Sequence, residues 1–130
     1  MTTKTYALCA GRHNIMVDGE DVTEKSVYPM TVERPLDFEA NIATAQEFIY
    51  ELVREEYDKV QNEINNVSFQ LVVTGLTPVL HAFIKAWHLS APHDWVLTLG
   101  HYDRDGKVYI WQSLFDPMNL HKHGRIHWEE

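Results

Sequence analysis

The run Phe69-Gln70-Leu71-Val72-Val73-Thr74-Gly75-Leu76-Thr77-Pro78 constrains the fold more than any other part of the chain. Leu71, Val72 and Val73 are contiguous, apolar and β-favouring, the composition of a buried strand. Gly75 then frees the backbone for a turn. Thr77 is placed to cap a helix, and Pro78 suits the first helical position, where its missing N–H is no loss. Beyond it Val79, Leu80, Phe83, Ile84 and Trp87 recur at the spacing of one helical face, with His81, Lys85 and His88 on the other.

A strand, a glycine turn and a helix N-terminus bring unpaired backbone N–H groups and the positive end of a helix dipole to the carboxyl edge of a sheet. Anions bind at that edge in open α/β folds. The chain has neither a Gly-x-x-x-x-Gly-Lys-Ser/Thr loop nor Gly-x-Gly-x-x-Gly, so the turn alone does not separate an anion site from plain architecture.

Upstream, Lys4 to Ala10 reads as a strand, ended by the turn residues Gly11-Arg12-His13-Asn14. If that strand lies beside the one ending at Val73, Arg12 emerges near Gly75, where a guanidinium pairs well with phosphate. Asp18-Gly19-Glu20-Asp21 is a turn, and Val22 to Val32 holds one or two short strands. From Asp37, a cap, the pattern turns helical: Ile42, Ala45, Ile49, Leu52, Val53, Tyr57, Val60 and Ile64 recur at spacings of three and four, predicting a helix from about Phe38 to Glu63. Its acidic residues Glu47, Glu51, Glu55 and Glu56 read as a solvated face, and Asn65-Asn66 ends it. After the second helix, Trp95 to Arg104 and Lys107 to Phe115 form strands around Asp105-Gly106, a two-residue hairpin signal. Val108, Ile110 and Leu114 fall on one face of the last strand and Tyr109, Trp111 and Phe115 on the other, so both faces need covering by helices or by another subunit, and a chain with few helices favours the subunit. Trp87 is expected in the core or a dimer interface. Met118 to Glu130 reads as an irregular tail with His121, His123 and His127 of no assigned role.

The 130 residues suit one domain, and 45% hydrophobic content excludes disorder. No apolar run approaches the roughly 20 residues of a membrane span, and the polar N-terminus lacks a signal-peptide core, so a cytosolic protein is expected. The single cysteine, Cys9, excludes an internal disulfide framework and a cysteine zinc cluster, and reads as a buried strand thiol. A formal net charge of −8 argues against coating a nucleic-acid polymer, though a few local cations still hold a small anion.

Chemistry is harder to assemble. There is no Gly-x-Ser-x-Gly elbow, and of the paired His-x-Thr/Ser elements of an acid-base phosphodiesterase only His88-Leu89-Ser90 is present. No catalytic residue, metal site or cofactor is expected. Binding needs less: aromatic and arginine side chains around a helix N-terminus hold a nucleotide without any reacting group. The candidate ligand-binding residues are Arg12 and His13 from the first loop, Thr74, Gly75, Leu76 and Thr77 from the glycine turn, and Tyr102 and Arg104 from the end of a later strand. Their shared position at strand ends makes the joint case.

Three segments, Tyr6-Ala7-Leu8-Cys9-Ala10-Gly11-Arg12-His13-Asn14-Ile15, Val72-Val73-Thr74-Gly75-Leu76-Thr77-Pro78 and Leu99-Gly100-His101-Tyr102-Asp103-Arg104, together resemble small phage-encoded Thoeris anti-defence proteins of the first of the two described classes. The resemblance covers most of the chain up to about Phe115. It implies sequestration, without cleavage, of cyclic ADP-ribose isomers made by bacterial TIR enzymes in the host cytoplasm. It also implies a homodimer-based assembly with pockets near subunit interfaces and, in some members, a larger assembly with a separate site for cyclic oligonucleotides. Phosphate-pairing roles carry over to Arg12 and Arg104, with His13 and the Thr74–Thr77 turn beside them. Two other readings stand next to it. The Thr-Gly-x-Thr turn is similar to the ligand turn of CRISPR-associated Rossmann-like domains and ring nucleases, which bind and sometimes cut cyclic oligoadenylate. A structural or partner-binding phage domain would use the aromatic hairpin only as an interface. The expected fold is a single α/β domain over residues 1–130, with a mixed sheet of about five strands and two principal helices, oligomeric, with an irregular tail from residue 116.

Overall fold

The structure, a computed structural model, describes residues 2–11, 13–59 and 66–116. Seven strands and two helices follow in the order β1 (Thr2–Cys9), β2 (Met16–Val17), β3 (Glu20–Asp21), β4 (Ser26–Tyr28), α1 (Phe38–Lys59), β5 (Val67–Val72), α2 (Thr77–Ser90), β6 (Val96–Asp103) and β7 (Val108–Phe115). Five strands make one mixed sheet in the order β4-β1-β5-β6-β7, parallel except for the antiparallel β7. The α/β class, the five-stranded mixed sheet and the two helices agree with the sequence reading.

The strand order dictates where everything else goes. From β4 the chain steps past β1 to β5 and then on to β6, both times in the same direction. Right-handed crossovers moving in one direction place their helices on one face of the sheet. Both helices do pack on that face, against Leu8, Phe69, Leu71 and Leu97. The step from β1 to β4 runs the opposite way, so its connection belongs on the opposite face. There residues Ile15, Val17 and Val22, around the small β2–β3 hairpin, bury against Ala7 and Val72.

The helix face is closed by aromatic packing. Phe69 sits at its centre, with ring centroids 5.5 Å from Tyr6, 6.2 Å from Phe48, 6.0 Å from Phe83 and 5.4 Å from Trp87. Trp87 is buried in this core, and Trp95 lies behind it at 6.3 Å. Asp37 caps α1 as its position implied, its Oδ1 accepting the Ala40 N–H at 3.2 Å.

Several local expectations need correction. Glu56 is buried on the stripe that also carries Ala45, Ile49 and Leu52, and its carboxylate pairs with Lys4 Nζ at 2.9 Å; Glu47, Glu51 and Glu55 remain exposed. Tyr57 is 40% exposed, and Val60 and Ile64 lie outside the described residues. Thr77 is the first residue of α2 and not its cap; Leu76 holds that position in extended conformation without a side-chain hydrogen bond. The β6–β7 loop has four residues, 104–107, because Asp103 Oδ1 accepts the Asp105 N–H at 3.1 Å and widens the turn, with Lys107 at φ 55. Finally, a register shift pairs Leu97 with Phe115 but Thr98 with Ser113. Such an extra residue flips the strand's faces, so Phe115 turns to the helix side against His88, away from Tyr109 and Trp111.

Candidate functional site

The chain leaves β1 toward the hairpin face and leaves β5 toward the helix face. Between two neighbouring parallel strands whose connections part in this way, a crevice opens at their carboxyl ends, and ligands of open α/β sheets bind there. In this protein the crevice is a cleft of about 1160 Å³. Its floor is Cys9, Ala10 and Gly11 on one side and Thr74 and Gly75 on the other. The hairpin residues Met16 and Asp18 form one wall, and Tyr102, Arg104, Lys107, Tyr109 and Trp111 from β6, β7 and their loop form the opposite one.

The floor is built to hold two strand ends together. Thr74 Oγ1 accepts the Cys9 N–H at 2.9 Å and donates to the Cys9 carbonyl at 2.7 Å, bridging β1 and β5 where the ladder stops. Gly75 then turns with φ +82, a conformation that L side chains rarely adopt. A Cβ at this position would also lie 2.7 Å from Cys9 Sγ. Two independent demands therefore fix glycine there. The turn leaves the N–H groups of Gly75, Leu76 and Thr77 without a hydrogen-bond partner among the described residues, at the start of the 14-residue α2. Burial pushes the Cys9 thiol's pKa up, so it stays protonated at neutral pH.

The outer wall has a different chemistry. Tyr102 and Tyr109 face each other across β6 and β7 with ring centroids 5.3 Å apart, and Tyr109 to Trp111 is 5.9 Å. Trp111 pairs with Gly100, where a Cβ would fall 2.5 Å from the indole; the missing side chain lets the ring lie down on the sheet. Neither tyrosine hydroxyl has a hydrogen-bond partner among the described residues, whereas the core Tyr28 hydroxyl donates to the Asn41 carbonyl at 2.6 Å. Burial, then the neighbouring Tyr102, raises the Tyr109 pKa, so the Tyr109 phenol is neutral in ordinary buffers. Arg104 and Lys107 make no ion pair among the described residues, and they set two cations around the cleft against one carboxylate, Asp18, in its described lining.

Of the residues singled out from sequence, His13, Thr74, Gly75, Leu76, Tyr102 and Arg104 all line this one cleft. The β1 and β5 strands are indeed neighbours, as the pairing of Arg12 with the glycine turn required, but Arg12 itself lies outside the described residues. Thr77 stands at the helix start beside the cleft without lining it, and the Thr74 hydroxyl is committed to Cys9. Tyr109, Trp111 and Lys107 were missed. The alternation that puts Tyr109 and Trp111 on one face was visible, but only the register of β7 on β6 shows that this face continues that of Tyr102.

Among the described residues, no three His, Cys, Asp or Glu side chains cluster as metal ligands, and no helix is long and apolar enough to cross a membrane. The tail carrying His121, His123 and His127 lies outside them. The chain matches no protein-family model, no curated protein and no solved structure at significant similarity.

Proposed function

We propose that the protein binds a phosphate-bearing, nucleotide-derived signal in the cleft at the carboxyl ends of β1 and β5 and sequesters it intact, acting as a phage anti-defence sponge for cyclic ADP-ribose isomers in the host cytoplasm. The observation that carries this reading is the convergence on one cleft of a positive-φ glycine turn and two cations, Arg104 and Lys107, where among the described residues the turn's N–H groups have no hydrogen-bond partner and the cations no ion-pair partner. The N–H groups and the positive end of the α2 dipole favour an anion, and the guanidinium supplies a charge-assisted pair. The cleft's volume exceeds that of typical small-molecule pockets, enough for a nucleotide of two phosphates and two sugars. Binding without turnover is favoured by the chemistry of the floor, where the one thiol is buried, protonated and without an imidazole or carboxylate hydrogen-bond partner among the described residues.

Self-association belongs to the same proposal. β7 is an edge strand of eight residues without a charged side chain, and its Val108, Ile110 and Leu114 are exposed. An apolar, uncharged edge invites pairing with another strand. A second copy pairing there would lie next to the wall of the cleft.

The test is to mix the protein with a panel of cyclic ADP-ribose isomers and cyclic oligonucleotides, filter, heat the protein fraction and identify by mass what is released. The expected result is an unmodified cyclic ADP-ribose isomer. A shortened product would make the protein a nuclease on the same scaffold, and an empty fraction would end the ligand-binding reading. Arg104→Ala is expected to weaken capture by about 1–3 kcal/mol, roughly 5- to 150-fold, with the fold intact. Unchanged affinity would remove Arg104 from the site.

A further inference from the structure

Tyr102, Tyr109 and Trp111 form a continuous aromatic ladder along one wall of the cleft; Tyr109 and Trp111 rest in part on the hairpin-face core, and Tyr102 carries the ladder beyond it. Tyr102 is 53% exposed although its β6 neighbours Leu99 and Gly100 are buried. The Tyr102 and Tyr109 hydroxyls lack hydrogen-bond partners among the described residues, so hydrogen bonding does not explain the choice of tyrosine. Trp111 is held flat by the absence of a side chain at Gly100, an arrangement that spends a glycine inside a strand to orient a ring. The ladder ends beside Arg104 and Lys107, so a planar group resting on it has its charged end within the cationic part of the same cleft. Resting on the anion-binding reading above, we infer that the ladder is a ring-stacking subsite, with Tyr102 and Tyr109 taking the face of a ligand's purine base while Arg104 and the Gly75 turn take its phosphate. Ligand selection then depends on the base as well as on the anion. Stacking is the contact that suits this wall, because aromatic side chains recognise any flat π-face without needing a matched hydrogen-bond pattern.

The experiment compares AMP with ribose 5-phosphate by calorimetric titration, since the two share sugar and phosphate and differ in the base. AMP is expected to bind at least tenfold more tightly. Tyr109→Leu, which keeps bulk and removes the ring, is expected to lower AMP affinity about tenfold and leave ribose 5-phosphate unchanged, while Tyr109→Phe retains the wild-type preference. Tyr102→Ala, at a more exposed position, gives the same readout if the Tyr109 variants do not fold. Equal affinity of the wild-type protein for both compounds would overturn the stacking subsite and leave the anion site standing. Binding of neither would overturn both.

Discussion

The two faces of the sheet are built from the same strands and end in opposite states. On the helix face, α1 and α2 bury Phe69, Leu71, Phe83, Trp87 and Trp95 in a closed aromatic core. On the other, residues 13–23 help bury Ala7, Ile15, Val17, Val22 and Val72 and cover Tyr109 and Trp111 only in part, while Tyr102 stays exposed. The cause is the connection between β1 and β4, which carries a two-stranded hairpin and no helix. A hairpin of two-residue strands cannot span a five-stranded sheet, so part of that face stays open at the strands' carboxyl ends. One face supplies the stability that the other forgoes in order to keep a cleft.

This division is open to attack from both sides. Phe69→Ala removes the ring at the centre of the closed face and is expected to destabilise the protein by about 3–5 kcal/mol in denaturant titrations, whereas Tyr102→Ala on the open wall is expected to change stability by less than about 1 kcal/mol. Comparable losses for the two would abolish the distinction. Gly75→Ala tests the seam between the faces: the positive φ and the approach to Cys9 Sγ predict a loss of about 1–3 kcal/mol, together with weakened ligand capture. Stability equal to the wild type would mean that the turn is more plastic than its geometry indicates.

The smallest expected effect concerns acid. The side-chain and backbone hydrogen bonds from Thr23 hold the Asp21 carboxyl below its ordinary range, and the Thr23 hydroxyl also accepts the Ile15 N–H at 2.8 Å. A carboxylate depressed in the folded state contributes stability that is present above its unfolded pKa, about 3.9, and is lost as pH falls through the folded value. Acid titration followed by NMR is therefore expected to disturb the amides of Ile15 and Val22 as Asp21 protonates, and Thr23→Val, which removes the hydroxyl and keeps the backbone N–H, is expected to move Asp21 part of the way back toward the ordinary carboxylate range. An Asp21 that titrates in that range in the wild-type protein would contradict the assignment.

The legible parts of this molecule were those in which one short segment carries its own physics. The β5–Gly75–α2 unit could be read because an apolar run, a glycine and an N1 proline act on neighbouring residues, and the structure places the turn at Gly75 with φ +82. Asp37 and the helix it caps were equally local. What depends on distant pairing was not legible. Glu56 looked like one more surface carboxylate, although its place eleven residues after Ala45 on the buried stripe marked it; its burial requires Lys4, 52 positions away, as a partner. Phe115 was assigned the wrong face because a β-bulge leaves no local mark in that strand. The cleft falls between these cases: its individual members stood out as strand-end residues, but the aromatic wall exists only through the register of β7 on β6.

The most direct test of the account is an NMR titration of isotopically labelled protein with cyclic ADP-ribose isomers. The account predicts saturable shifts confined to the amides of Gly11, Gly75, Leu76 and Thr77, the Tyr102–Tyr109 segment and the Trp111 indole, with the Trp87 and Trp95 indoles unmoved. Saturating every isomer without a shift in that set, or with shifts centred on the closed helix face, would contradict it.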